Sequence, residues 1–229
     1  MTAALAYLRL SASRTRAPLA PLAAALFALI GTFVGLHNEV GATWALTALM
    51  AGGVAAWFVV AVLAGEPEAQ ADITTAAVGG RRGQLGLGLV LVVCVSLLLT
   101  TMFIAYPLSL ATLLDRPVFD PAATRSDVLA ALLAHLACTL LGGTVGLLFA
   151  PPRVRRRATA FAAITATLLV LAAGPAPSDV RLGPIGVARA LDRGNAHAEV
   201  GPTALAAATC LLMGCALLWV ADRWTRSAA

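Results

Sequence analysis

Lysine is absent from this chain, and charged residues of every kind are scarce. All 16 basic residues are arginine, and charged side chains make up only 12% of the 229 residues. A soluble domain averages about 25% charged residues, so this chain lacks the groups that would cover a water-facing surface. The phosphate-binding loop GxxxxGK[ST] requires a lysine, and its absence excludes an ATP site of that type within this chain.

Ionisable residues are also missing from the long apolar runs. Cysteines apart, His135 is the one residue in these runs that ionises near neutral pH. Carriers coupled to protons or sodium usually keep ionisable groups near the membrane midplane, so the sequence disfavours that class. A hydrogen bond from His135 to a neighbouring helix is the main interpretation, and a proton relay is the alternative.

Catalytic and metal-binding patterns are absent as well. There is no HExxH, GxSxG or CxxC motif, and the cysteines Cys94, Cys138, Cys210 and Cys215 each lie in an apolar run, where we interpret them as small packing residues. The cluster His37-Asn38-Glu39 is interpreted as a solvated turn, with a metal or substrate contact as the alternative. We therefore expect no enzyme activity, metal or cofactor in this chain.

What the chain has in abundance is apolar sequence, at 60% of all residues. A membrane-spanning helix needs about 20 apolar residues. The sequence predicts an all-α, polytopic integral membrane protein, forming one transmembrane domain over residues 1–229. Its six predicted spans cover about residues 18–36, 42–64, 85–114, 128–150, 158–173 and 203–221.

The arginines indicate how these spans are oriented. Eleven arginines fall in the loops on the side of the N-terminus, and five fall on the opposite side. The positive-inside rule then places both termini in the cytoplasm of a bacterial cell. The net charge of +5 follows from this topology, and we expect no nucleic-acid partner.

Three segments outside the spans have their own patterns. Residues 2–16 predict a short helix in the cytoplasmic membrane interface, with a frayed tail as the alternative. The loop from Gly65 to Gln84 predicts a short polar cytoplasmic helix over about Pro67–Val78, because its acids come first and Arg81 and Arg82 come last. Residues 174–202 form a long outer segment before the last span, either a surface helix or one that dips into the outer leaflet. The basic and aromatic residues of the first segment are Tyr7, Arg9, Arg14 and Arg16.

Small and hydroxyl residues are the remaining features of the spans. Gly31 and Gly35 form one GxxxG motif, and Gly142 and Gly146 form another. Such motifs let helices approach closely, either within the chain or in a dimer. Two interpretations of the hydroxyl residues stay open from the sequence. They line a polar path through the bundle, or they form hydrogen bonds within their own helices.

The order of these segments resembles the permease subunits of ABC-2 type (type V) ABC exporters, in a short form similar to those of actinobacteria. In sequence, the resemblance rests on the stretch EPEAQADITTAAVGGRRG at residues 66–83. It implies that residues 66–82 are a coupling helix, which contacts the ATPase, and that residues 2–16 are the connecting helix. The coupling residues would be Glu66, Glu68, Gln70, Asp72, Arg81 and Arg82.

The resemblance also implies partners. A separate ATP-binding subunit, in two copies, would supply ATP and Mg, and a second permease subunit, identical or homologous, would complete the transporter. The expected cargo is apolar or amphipathic (a drug, lipid, peptide or natural product). The alternatives are a non-transport anchor or assembly subunit of a larger complex, and an intramembrane enzyme using His135, His37, Glu39 or a cysteine.

Overall fold

The computed structural model describes residues 19–35, 40–65, 80–113, 125–150 and 200–227, together with residues 73, 76–77, 159–160, 162–167, 184 and 191. This part of the chain contains no strands, so the all-α prediction is confirmed for it. Its helices are α1 (Leu19–Gly35), α2 (Val40–Leu63), α3 (Arg81–Leu113), α4 (Arg125–Phe149) and α5 (Val200–Ser227).

Four of these helices are long and apolar enough to cross a membrane. Their apolar segments are 20 to 24 residues long, with a mean hydropathy of 2.0 to 2.7, which matches the length that a bilayer requires. The chain is therefore a membrane protein. The four segments are Thr43–Leu63, Gly83–Tyr106, Asp127–Phe149 and Gly201–Val220.

Helix α3 begins four residues earlier than the predicted third span. Gly80, with a φ of 81°, directly precedes it, in a left-handed backbone conformation that favours glycine. The Gly80 carbonyl then accepts a hydrogen bond from the backbone N–H of Gln84 at 3.1 Å. Arg81 and Arg82 therefore lie in the first turn of α3, and the helix continues through Pro107 to Leu113.

Helix α4 runs parallel to α2 and to α5. Along α2 and α4 the contacting positions rise together, which two helices show only when they point the same way. The same holds for α4 and α5: Cys210 packs in the buried cluster of Ala134 and Cys138, and Gly214 lies beside Thr144. The contacts between α2 and α4 join Thr47 with His135, Gly52 with Cys138, and Ala56 with Gly146.

Helix α3 runs antiparallel to α4. Gly88 meets Leu147 near the start of α3, and Thr100 meets Thr139 further along it. As one sequence number rises, the other falls. Together with the parallel pairs, this makes α3 the one helix among α2 to α5 that points the opposite way.

Two short described segments pack at different levels of this bundle. Ala160 and Ile164 belong to a buried cluster with Val145 and Ala150, at the C-terminal end of α4. Leu191 belongs to a cluster that reaches Ala130, near the N-terminal end of α4. Ile164 and Leu191 therefore belong to buried clusters at different levels along α4.

Candidate functional site

The interior of the bundle contains a set of buried polar side chains, which we call the polar layer and define by its hydroxyl and imidazole groups on α2, α3, α4 and α5. Each of its members is at most 6% exposed, although the surrounding side chains are apolar. Polar groups without water must find partners in the protein, so this layer decides what chemistry the bundle interior offers. Its members are Thr43, Thr47, Ser96, Thr100, His135, Thr139, Thr144 and Thr203.

His135, fully buried on α4, uses both nitrogens of its ring. Nδ1 lies 2.7 Å from the Ala131 carbonyl oxygen, one turn earlier in the same helix. Nε2 lies 3.0 Å from the Thr47 hydroxyl on α2. Because a carbonyl only accepts, Nδ1 carries the hydrogen, and in the neutral ring Nε2 accepts from Thr47. The ring thus joins α4 to α2.

The Thr47 hydroxyl has more acceptors than hydrogens. Its oxygen is 2.9 Å from the Thr43 carbonyl and 3.2 Å from the Trp44 carbonyl, besides its contact with His135. A hydroxyl donates one hydrogen. When Thr47 donates its hydrogen to His135, it cannot donate to the Thr43 or Trp44 carbonyl. The hydrogen bond between α4 and α2 therefore replaces one within α2.

Two aromatic rings enclose the imidazole. Trp44 of α2 meets it edge-on, with ring centroids 5.6 Å apart and planes at 87°. Phe103 of α3 lies at 5.9 Å with a tilt of 37°. These contacts from two helices fix the plane of the imidazole ring. Trp44, Phe103 and His135 belong to no common sequence motif.

The polar contacts between α3 and α4 are weaker. Thr139 donates to the His135 carbonyl at 2.7 Å, so Thr100 donates to Thr139, and that bond is long, at 3.4 Å. One turn away on α3, the Ser96 hydroxyl is buried without any hydrogen-bond partner. A buried hydroxyl of this kind costs about 1–3 kcal/mol, which makes the interface between α3 and α4 the least satisfied part of the layer.

Glycines bring α2 and α4 into backbone contact beside this layer. A Cβ atom on Gly142 would overlap the Gly52 carbonyl, and one on Gly146 would overlap the Ala56 carbonyl. The GxxxG motif of α4 thus packs within the chain. Gly52, the residue that Gly142 contacts, was not predicted. This contact depends on the register of α2 against α4, and no sequence pattern determines that register. For Gly31 and Gly35, which lie in α1, the packing lies outside the described residues.

No protein-family model, curated protein or solved structure matches this chain. Within the described residues, no three His, Cys, Asp or Glu side chains come together as a metal-binding group. The polar layer consists of hydroxyls and one imidazole, whose partners are other groups of the bundle, and it therefore suits helix association.

The predicted cytoplasmic contacts are mostly outside the described part of the chain. This applies to Glu66, Glu68, Gln70 and Asp72, to the interfacial residues Tyr7, Arg9, Arg14 and Arg16, and to the cluster of residues 37–39. Within the predicted coupling segment, Ile73 and Ala76–Ala77 are helical and exposed. Ile73 is 70% exposed, so at this position an apolar side chain faces away from the protein.

Proposed function

We propose that this chain is the transmembrane subunit of an ATP-driven exporter in a bacterial cytoplasmic membrane. His135 carries the proposal, because its two ring nitrogens are already bonded to Ala131 and Thr47. An imidazole engaged in this way serves packing better than proton transfer. Apart from Asp127 at the start of α4, the four apolar segments contain no Asp, Glu, Lys or Arg. The energy for transport then comes from another chain.

The partners in this proposal are those that the resemblance to ABC-2 type permeases implies. A separate ATP-binding subunit, expected in two copies, binds ATP and Mg. It acts through residues 66–82, and a second permease subunit, identical or homologous, completes the pathway. The apolar segments and neutral hydroxyls favour an apolar or amphipathic cargo, since a charged solute would meet no counter-charge there.

The parallel packing of α4 and α5 supports the six-span arrangement. Two parallel spans require an odd number of crossings in the chain that joins them. Ile164 packs in the cluster at the C-terminal end of α4, and Leu191 packs in the cluster that covers its N-terminal half and middle, which favours one crossing between these residues. Epitope tags inserted after Pro152 and after Ser178 are therefore expected on opposite sides of the membrane. Tags on the same side would contradict the fifth span.

The end of α5 supports a cytoplasmic C-terminus. The Arg223 guanidinium lies 4.2 Å from the centre of the Trp219 ring, and Trp219 is 57% exposed. Tryptophan and arginine together are typical of a membrane interface, and arginine is enriched on the cytoplasmic side. Because α2, α4 and α5 are parallel, their C-terminal ends then all face the cytoplasm.

Affinity purification from the native membrane in mild detergent tests the proposal. We expect a soluble ATPase to co-purify in stoichiometric amount with the wild-type chain. Reversing Glu66, Glu68 and Asp72 to arginine should remove it, because the coupling segment loses its acidic half. The matched control reverses Asp115 and Asp120, which lie in a predicted outer loop and should leave the ATPase bound.

Two results would contradict the exporter proposal. If no ATPase co-purifies even after crosslinking, the chain has no such energy source. If the ATPase of the purified complex responds only to strongly charged solutes, the cargo class is wrong. In the first case a non-transport anchor or assembly subunit becomes the better interpretation.

A further inference from the structure

One face of α5 is exposed along the apolar segment and ends at an arginine. Only 28% of this segment is buried, compared with 67% for that of α4. Positions three or four residues apart share one face of a helix, and the exposed ones on this face follow that spacing. We call this face the exposed stripe; its members are Leu205, Ala208, Leu212, Cys215, Trp219 and Arg223.

The last turn of the exposed stripe combines a positive charge with an aromatic ring. The central carbon of the Arg223 guanidinium lies 4.2 Å from the centre of the Trp219 ring, and both side chains are exposed. This cation–π contact consumes none of the five N–H donors of the guanidinium, whose fork geometry matches the oxygens of a phosphate. Because tryptophan favours the depth of the lipid headgroups, the stripe ends in a phosphate-binding group at the depth of phospholipid phosphates.

Other arginines lie at the same depth as Arg223. Gly88 of α3 and Gly214 of α5 lie against α4 at positions three residues apart, Gly88 being nearer the C-terminal end by about 4.5 Å. Arg82 lies about 9 Å beyond Gly88 towards that end, and Arg223 lies about 13 Å beyond Gly214. The two arginines are therefore almost level. Within the described residues, the helix ends at this level carry four arginines and one acid, which are Arg81, Arg82, Arg223 and Arg226, and Asp222.

We propose that Trp219 and Arg223 form a binding site for an anionic phospholipid. The guanidinium donates hydrogen bonds to the lipid phosphate, and the acyl chains lie along the exposed stripe. From Arg223 to Leu212 the stripe extends about 16 Å, which is close to half of the hydrocarbon core of about 30 Å. The site goes beyond the proposed transport function and does not depend on it, since it requires only that α5 spans the bilayer.

The charge at the end of the stripe favours a lipid over a second copy of this chain. In a two-fold pair within the membrane, the same surface of each copy meets its counterpart. A contact along the stripe would then bring Arg223 towards the Arg223 of the second copy at the same depth. Like charges so placed repel each other, whereas an anionic lipid supplies the opposite charge, and basic surfaces at this depth attract anionic headgroups.

Two exposed cysteines provide matched reporters for the test. Cys215 lies on the exposed stripe, and Cys94 is exposed on α3, at a depth that differs by about 6 Å when counted from the same contacts. The full chain carries a bimane label at Cys215 in the Cys94→Ala variant, or at Cys94 in the Cys215→Ala variant. Each labelled protein is placed in phosphatidylcholine nanodiscs that contain increasing amounts of dibrominated phosphatidylglycerol or dibrominated phosphatidylcholine, and quenching of the bimane is measured.

We expect a lipid preference at Cys215 alone. Half-maximal quenching there should need about fivefold less dibrominated phosphatidylglycerol than dibrominated phosphatidylcholine, and the two lipids should quench almost equally at Cys94. Arg223→Gln keeps an exposed polar side chain, so it should fold and lose the preference. Trp219→Leu should reduce the preference, because the guanidinium loses the ring on which it rests. Arg125→Gln, at the N-terminal end of α4, is the control and should keep it.

Four results would overturn the proposal. Equal quenching by the two lipids at Cys215 would show that the stripe does not select an anionic headgroup. The same preference at both cysteines would show a diffuse attraction without a site. A preference that survives Arg223→Gln would remove the assigned group. Absence of quenching by either lipid at Cys215 would show that protein, such as a second copy of this chain, covers the stripe.

Discussion

Helix α4 meets α2 through backbone atoms and meets α5 through small side chains. At the first interface a Cβ on Gly142 or Gly146 would overlap a carbonyl of α2. At the second, a Cβ on Gly214 would lie 3.7 Å from the Thr144 hydroxyl, in ordinary contact. The first interface also has the His135–Thr47 hydrogen bond at 3.0 Å.

This difference indicates which parts of the bundle can move. Backbone contact leaves no free volume, so α2 and α4 shift only together, and interiors packed to this density transmit strain. The interface with α5 has room for adjustment. If the chain is the exporter subunit that we propose, we expect α5 to be the moving helix and the α2–α4 pair to be its fixed support.

The largest expected effect is that of Gly142→Ala. The added methyl overlaps the Gly52 backbone, which cannot be relieved by a side-chain rotation, so we expect a loss of about 3 kcal/mol of stability or complete failure to fold. Equilibrium unfolding in mixed micelles, followed by tryptophan fluorescence, measures it. Gly86→Ala is the matched control, because a Cβ there meets nothing within 4 Å. Equal stability of the two variants would remove the distinction between the interfaces.

At the interface of α4 with α3, we expect one substitution to raise the stability of the protein. The Ser96 hydroxyl is buried without a partner, so Ser96→Ala should raise the free energy of unfolding by about 1 kcal/mol. The same mixed-micelle unfolding measures this change. Thr100→Val serves as the comparison, since its hydroxyl does have a partner in Thr139 at 3.4 Å, and it should not stabilise. A destabilised Ser96→Ala variant would mean that the hydroxyl is bonded in the folded protein.

A double-mutant cycle measures the hydrogen bond between α2 and α4. The variants are Thr47→Val, which keeps the side-chain shape, His135→Leu, and the two combined. Interhelical hydrogen bonds in membranes average about 0.6 kcal/mol, and we expect a coupling energy of that size. The packing loss in His135→Leu cancels in the cycle. A coupling of zero would leave the glycine contacts alone to hold this interface.

Four of the six predicted spans coincide with apolar helices of the structure, whereas the contacts between the helices could not be predicted from the sequence. Apolar length alone defines a span, so the predicted limits of 42–64 and 128–150 lie within three residues of α2 and α4. The start of α3 was missed, because Arg81 and Arg82 were interpreted as the end of a polar segment and the positive φ of Gly80 is not visible in a sequence.

The polar layer shows why contacts are harder to predict. His135 was expected to bond to a neighbouring helix, and the structure supplies Thr47 as its partner. Thr47 itself lies 88 residues away, and only the parallel register of α2 and α4 brings the two together. The buried cluster that contains Cys138 and Cys210 depends on register in the same way, since neither cysteine belongs to a local motif.

The smallest expected effect is that of Gly214→Ala, at the interface of α4 and α5. The new methyl group meets Thr144 at ordinary contact distance, and alanine favours a helix more than glycine does. We expect the free energy of unfolding to change by no more than about 0.5 kcal/mol. If α5 moves during transport, this variant should still export cargo, whereas a larger Gly214→Leu change should fold and yet slow export, because the side chain would block sliding against Thr144. Equal export by both variants would place the moving interface elsewhere in the bundle.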